Sequence, residues 1–275
     1  MADNYSVLRD GLLAGKTAIV TGGGRGIGRV IAQRFGALGA NVVVAGRHIE
    51  TLSEAQAEIE GDGGVCLPHV TDIREVEQVD ALVAATRERF GRIDFLINNA
   101  GGQFPARPSA ISDRGWRSVV DLNLNGTWNM LSRVGPHLTA QKSGAVVNIV
   151  HVYTLERGAP AFAHSGAARA GVVNLTRTLA GYWARHNVTV NALAPGSIAT
   201  EGLREREYAK LETPDYEPLQ VQDIPAHRLG DPEEVADICA FLCSPAARYI
   251  NGAVIVADGG QTLGNWTDVF DMEVP

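Results

Sequence analysis

Residues 21–28 read TGGGRGIG, a run that can do one particular kind of chemistry. Bare backbone at the start of a helix can approach a pyrophosphate that side chains would hold off. Context gives the string its meaning, because a glycine-rich turn elsewhere is only a loop. Here it stands between an apolar run, TAIVT at 17–21, and Ile27, Val30, Ile31, Phe35 and Leu38 at helical spacing. Its spacing places Gly22, Gly26 and Gly28 as TGxxxGxG rather than GxGxxG, with Ile27 between the last two. Arg25 lies inside the turn, and Arg47 follows the next apolar run. Other chemistries find less support. Cys66, Cys239 and Cys243 form no CxxC and no Cys/His metal spacing, so they read as small core residues and no metal is expected. Ser165 has no His/Asp pair at triad spacing, which argues against a nucleophile.

The elements that must position these residues repeat a strand-helix cycle. NVVVA at 41–45 precedes an amphipathic stretch with Leu52, Ala55 and Ile59, and GVCLPHV at 64–70 precedes Val76, Val79, Leu82, Val83 and Phe90. DFLINN at 94–99, AVVNIV at 145–150, VTVNALA at 188–194 and AVIVADGG at 253–260 add four more strands. Each is separated from the next by enough chain for a helical crossover. Apolar runs without strict alternation match strands buried on both faces, so the expected class is α/β: a doubly wound, seven-stranded parallel sheet with helices on both faces. Residues 1–275 read as one domain, with an irregular insertion at about 201–229 of the kind that acts as a substrate lid.

Composition narrows the partners. A net charge of -7 and the absence of a Lys/Arg run argue against nucleic acid. The start, MADNYSVLRDGLL, lacks the pattern of a secretory signal, and no apolar stretch reaches the ~20 residues of a membrane span. The expectation is no membrane partner and a reducing, cytoplasmic setting.

The glycine string, NNAG at 98–101 and PGSIAT at 195–200 together resemble the short-chain dehydrogenase/reductase family from Lys16 to about Gly260. The resemblance implies a Rossmann fold and a nicotinamide dinucleotide. It places Asn99, Ala100 and Gly101 beside the adenosine side of the cofactor, Asp72 and Ile73 at the adenine, and Ile198 and Thr200, after Pro195 and Gly196, at the nicotinamide amide. A NAD-selective site carries a carboxylate at the end of the second strand to accept from the ribose 2′-hydroxyl; this chain has Gly46 followed by Arg47. With Arg25 as a second cation suited to phosphate, the expected cofactor is NADP(H).

The catalytic pattern departs from the family. Where most members carry YxxxK, this chain reads HSGAARAGVVNLT, with Ser165 at the Tyr position and Arg169 at the Lys position. The family's catalytic Ser falls at His151 or Val152, depending on a gap. HSGAARAGVVNLT and NNAGGQF at 98–104 resemble 2,4-dienoyl-CoA and peroxisomal trans-2-enoyl-CoA reductases, which reduce carbon-carbon double bonds of acyl thioesters. That resemblance implies Tyr153, on the loop after the fifth strand, as relocated donor and Gln103 as its amide companion at an enolate oxygen. It also implies Ser165 as a positioning hydroxyl and Arg169 as the ribose-binding cation. His164 reads as a packing or capping histidine. Asn123 matches the family's helix-kinking Asn, and it or Asn125 is expected to bond backbone.

Two alternatives stay open: an NADP-dependent alcohol or carbonyl dehydrogenase using Tyr153, and a dinucleotide-binding protein without catalysis. An acyl-CoA substrate needs a local basic rim, for which Arg107, Arg157, Arg204, Arg206 and Lys210 are candidates. The resemblance further implies a homotetramer or homodimer built through the long helices containing Trp128 and Trp183. The acidic tail after Gly264 would close over a neighbouring subunit's site or fray.

Overall fold

The computed structural model describes residues 8–154, 158–203 and 221–264. Seven strands form one sheet: β1 (Thr17–Thr21), β2 (Asn41–Gly46), β3 (Val65–Val70), β4 (Phe95–Asn98), β5 (Gly144–Ile149), β6 (Val188–Pro195) and β7 (Val254–Ala257). Their order is β3-β2-β1-β4-β5-β6-β7, and every pairing is parallel. The chain winds outward from β1 in one direction to β3, then restarts at β4 on the other side. A crevice therefore opens between β1 and β4 at their carboxyl ends, where an open α/β sheet holds its ligand.

The helices are α1 (Gly26–Ala37), α2 (Ile49–Gly61), α3 (Val76–Phe90), α4 (Asp113–Val120), α5 (Gly126–Gln141), α6 (Ala163–Trp183) and α7 (Pro232–Cys243). Successive strand residues feed opposite faces, as strand geometry requires. Ala18, Val20, Val42 and Val44 pack with Ile31 and Phe35 of α1, Leu52 of α2 and Val235 of α7. Ile19, Val43, Leu96 and Val146 pack on the other face with Leu82 of α3, Leu131 of α5 and Leu179 of α6. Each fully buried Val, Leu, Ile or Phe among them contributes roughly 1.5–3 kcal/mol. The edge strands β3 and β7 are the most exposed of the seven. Pro68 sits in β3, where a missing N–H disrupts no second neighbour.

Trp183 packs within the chain. It is 7% exposed and packs against Gly135 of α5, where a Cβ would overlap the indole ring. Trp128 on α5 is exposed. The three cysteines are buried and free, as expected. No described helix is long and apolar enough to cross a membrane, and among the described residues no His/Cys/Asp/Glu group could hold a metal.

Candidate active site

The floor of the crevice is backbone. Gly22 has φ +67, and a Cβ on it would come within 2.9 Å of Asn99 Nδ2 and 3.1 Å of Ala100 Cα. A Cβ on Gly28 would overlap the Gly22 carbonyl oxygen and Asn99 Nδ2. Thr21 Oγ1 stitches the two strand ends together: it accepts the N–H groups of Asn99 and Ala100, each at 3.0 Å, and donates to the Ile97 carbonyl at 3.2 Å. α1 then starts at Gly26, itself at φ +50, behind Arg25, whose side chain makes no cap hydrogen bond. The first-turn N–H groups keep their capacity for an anion. Glycine is required here because the turn must pass between β1 and the NNAG segment without side-chain volume.

The cations, and the residues expected at the adenine, lie beside this turn. Arg25 and Arg47 are exposed, and neither forms an ion pair among the described residues. Asp72 is engaged by Arg74, whose Nε donates to Oδ1 at 2.9 Å and whose backbone N–H donates to the same oxygen at 3.1 Å. Those bonds, with Arg47 adding a weaker pull, hold the Asp72 carboxyl below its ordinary range. Ile73 is buried against Gly126, and its carbonyl accepts from Asn129 Nδ2 at 2.9 Å. A bare-backbone cradle at a helix start, with exposed Arg25 and Arg47 beside it, fits the pyrophosphate of a dinucleotide.

The other half of the crevice is a cavity of about 830 Å³. Gln103, Tyr153, Ser165 and Arg169 all line it, together with Ile27, Asn99, Gly101, Pro195, Gly196, Ile198 and Thr200. Gly22, Arg25, Gly26, Gly28, Arg47, Asp72, Ile73 and Ala100 lie outside its wall, on the β1–α1 turn and the strand ends around it. Ile198 is buried and bridges to Gly230. Thr200 Oγ1 accepts the Leu203 N–H at 3.2 Å.

A π-helical turn, Asp121–Asn125, separates α4 from α5. Such a bulge redirects a side chain, and here it aims Asn123 at the NNAGG segment. Asn123 Nδ2 donates to the Gly102 and Val119 carbonyls, each at 2.8 Å, and its Oδ1 accepts the Gly102 N–H at 3.3 Å. Asn123 is thus a backbone clamp beside Gln103, as expected; Asn125 bonds only the Asp121 side chain, at 2.8 Å.

α6 presents Ser165 and Arg169 on one face, four residues apart and both buried. Arg169 Nη1 donates to the Ile149 carbonyl at the end of β5. Its Nη2 lies against Gly101 so closely that a Cβ there would overlap it. No carboxylate pairs with this guanidinium among the described residues. Burial lowers its pKa to about 10, which leaves it charged at neutral pH.

His151 resolves the gap left open by the sequence. Its Nε2 lies 3.2 Å from Ser165 Oγ, whereas Val152 is buried apolar core. Burial, with the Arg169 charge second, pushes the His151 pKa down to about 4, so the ring is neutral. His164 packs edge-on against Phe104 at 4.4 Å, and its Nδ1 accepts the Ser165 N–H at 2.8 Å, the packing and capping role expected of it.

Tyr153 sits on a 3-10 turn, Val152–Thr154, that Thr154 Oγ1 ties to the His151 carbonyl at 2.6 Å. Its Oη accepts a hydrogen bond from Gln261 Nε2 at 2.8 Å. Gln261 was not legible as a site residue; its only signal is its place after the DGG that ends the last strand. Of the basic candidates, Arg107 is exposed and follows Ala106, whose N–H donates at 3.0 Å to the carbonyl of cavity-lining Ala161. Arg157, Arg204, Arg206 and Lys210 lie outside the described residues, as do 204–220 of the expected lid and the tail beyond Gly264.

A family model described as enoyl-(acyl carrier protein) reductase matches residues 22–262. The chain is similar to a probable 2,4-dienoyl-CoA reductase, (2E)-enoyl-CoA-producing, of Bacillus subtilis strain 168: 38% identity over 254 residues, 90% of this chain and 97% of that one. It is also similar to two solved structures. One is a short chain dehydrogenase of Bacillus anthracis str. 'Ames Ancestor', at 40% identity and TM-score 0.82, covering 92% of this chain and 99% of that one. The other is a citronellol catabolism dehydrogenase of Pseudomonas aeruginosa PAO1, at 39% identity and TM-score 0.80, covering 94% and 99%. By the family model over 22–262 and the 38% identity to a relative covered over nearly its whole length, the chain belongs to the short-chain dehydrogenase/reductase family of nicotinamide-dinucleotide oxidoreductases.

Proposed function

We propose that the protein is an NADPH-dependent reductase of the carbon-carbon double bond of 2-enoyl-CoA or 2,4-dienoyl-CoA thioesters. The observation that carries this reading is the exchange of groups in one cavity: a serine stands at the α6 position of the family's phenol, and a phenol, Tyr153, enters from the loop after β5. The similarity to a probable 2,4-dienoyl-CoA reductase supports it.

The cofactor supplies a hydride to the alkene. Gly22, Gly26 and Gly28 would hold its pyrophosphate, Arg25 and Arg47 its 2′-phosphate, and Arg169 its nicotinamide ribose. As the alkene is reduced, negative charge gathers on the thioester oxygen, and donors aimed at that oxygen lower the barrier. Tyr153 Oη–H and the Gln103 amide are those donors, and a proton from Tyr153 or water completes the reduction. Ser165, bonded to the neutral His151, positions the reacting end of the substrate. Arg107 contributes to a basic rim for the CoA phosphates.

A dehydrogenase of alcohols or carbonyls using the same Tyr153 is the second reading, favoured by the likeness to the citronellol catabolism dehydrogenase. Loss of NADPH absorbance with a trans-2-enoyl-CoA, a 2,4-dienoyl-CoA and a set of ketones separates the two. Turnover of thioesters alone upholds the reductase, and turnover of ketones alone replaces it with the second reading.

A further inference from the structure

Residues 258–262, DGGQT, form a closed turn after β7. Asp258 Oδ1 accepts the Gly260 N–H at 2.9 Å, and Oδ2 accepts the Thr262 N–H and hydroxyl, each at 2.8 Å. Gly259 and Gly260 hold φ of +60 and +87, a region that favours glycine. This braced backbone aims Gln261 into the cavity wall. Its Oε1 accepts the Ser197 N–H at 2.9 Å. A backbone N–H can only donate, so that bond fixes which end of the amide is oxygen. Nε2 therefore faces Tyr153 Oη at 2.8 Å and Ser197 Oγ at 3.2 Å. Gly196 leaves room for this arrangement, since a Cβ there would stand 2.6 Å from Gln261 Oε1.

A phenol oxygen has one proton to give and lone pairs to accept with. Gln261 Nε2 fills a lone pair and cannot take the proton. We propose that Gln261 is a positioning residue that holds the Tyr153 phenol with its proton directed at the substrate oxygen. Through Ser197 it couples that orientation to the loop leaving β6. This rests on the reading of Tyr153 as the donor given above. The amide donation also favours the phenolate left when Tyr153 releases its proton to the substrate, and water returns that proton.

Gln261→Glu reverses the bond. One carboxylate oxygen still accepts from Ser197, but the other accepts the Tyr153 proton. The expected result is a fall in kcat of about 100-fold, within the range of general-acid effects, with thioester KM and NADPH Kd within about threefold. The Tyr153 phenol, titrated by phenolate absorbance as the difference from Tyr153→Phe, rises by about one pH unit or more beside the new charge. Gln261→Met keeps the length without the donor, and is expected to lose about tenfold in kcat with a smaller rise; it carries the same readouts if Gln261→Glu does not fold. An unchanged kcat and phenol titration in these variants, with turnover lost in Tyr153→Phe, overturns the proposal and leaves the donor reading intact. Full turnover in Tyr153→Phe overturns the donor reading and this inference with it. NADPH binding lost in proportion to kcat also overturns it, by reducing Gln261 to a brace of the cofactor loop.

Discussion

His151 Nε2 and Ser165 Oγ stand 3.2 Å apart, joining the end of β5 to the first turn of α6 where the family's phenol would be. The pair is neutral. His151 is buried beside the Arg169 guanidinium, and both effects oppose its protonation.

That neutrality makes stability depend on pH with a definite sign. The folded pKa of His151 is depressed from 6.5 to about 4, so the unfolded chain binds a proton in this window and the folded chain does not. The contribution is fully present above 6.5 and is lost as pH falls towards 4. The full loss is about 3 kcal/mol. His151→Gln keeps a hydrogen-bonding partner for Ser165 without the titration. Urea midpoints measured near neutrality and at about pH 4.5 should fall further in wild type than in the variant. Parallel declines would show that the ring is not held neutral.

The same pair sets an order of importance for activity. If Tyr153 supplies the donor, Tyr153→Phe should lower kcat by about 10²–10³-fold with NADPH affinity retained. Ser165→Ala, which removes only a positioning hydroxyl, should cost about tenfold or less. Single-turnover rates would decide it: a collapse in Ser165→Ala alone would transfer the donor role to the Ser165–His151 pair.

The sheet was legible because buried parallel strands are apolar runs. TAIVT coincides with β1, and NVVVA, AVVNIV and VTVNALA each match a strand to within one residue at either end. The tight glycine turn was legible because glycine spacing reports close backbone approach, as Gly22 and Gly28 against Asn99 show. The reaction side was less so. Whether the family's catalytic Ser position fell at His151 or Val152 depended on one gap in a loop, and loops carry no period to fix register. The π-turn that aims Asn123 leaves no mark in the helical pattern, since one extra residue in a turn changes only the register of the helix beyond it. Gln261 meets Tyr153 across 108 residues of chain, a contact set by the sheet's winding and not by local sequence.

In the proposed reading, cofactor choice rests on Arg25 and Arg47. Arg47→Asp places a carboxylate where NAD-selective members carry one, and should weaken NADPH binding about 30–100-fold, a loss of 2–3 charge-assisted kcal/mol. NADH binding should tighten. Arg25→Ala should cost less, because its loss adds no repulsion. Fluorescence titration with both nucleotides checks this, and an unchanged NADPH-to-NADH ratio in Arg47→Asp would remove Arg47 from the phosphate site.

Gly101 and Gly102 are neighbours in one turn, yet they should respond to alanine in opposite ways. A Cβ on Gly101 would overlap Arg169 Nη2, and that guanidinium has little room to move, being buried and bonded to the Ile149 carbonyl. A Cβ on Gly102 would meet only Leu122 Cδ2 at 3.3 Å, the far end of a flexible side chain. Gly101→Ala should therefore lower stability by about 1–3 kcal/mol, as overpacking does, while Gly102→Ala stays within about 0.5 kcal/mol. Adding Arg169→Lys, which removes the planar fork and Nη2, should restore part of the loss in Gly101→Ala. Recovery in the double variant would locate the strain at that contact, because Arg169→Lys alone removes hydrogen bonds and should gain nothing. Thermal midpoints of the four proteins form the cycle, and additive shifts would mean that Gly101 and Arg169 do not press on each other.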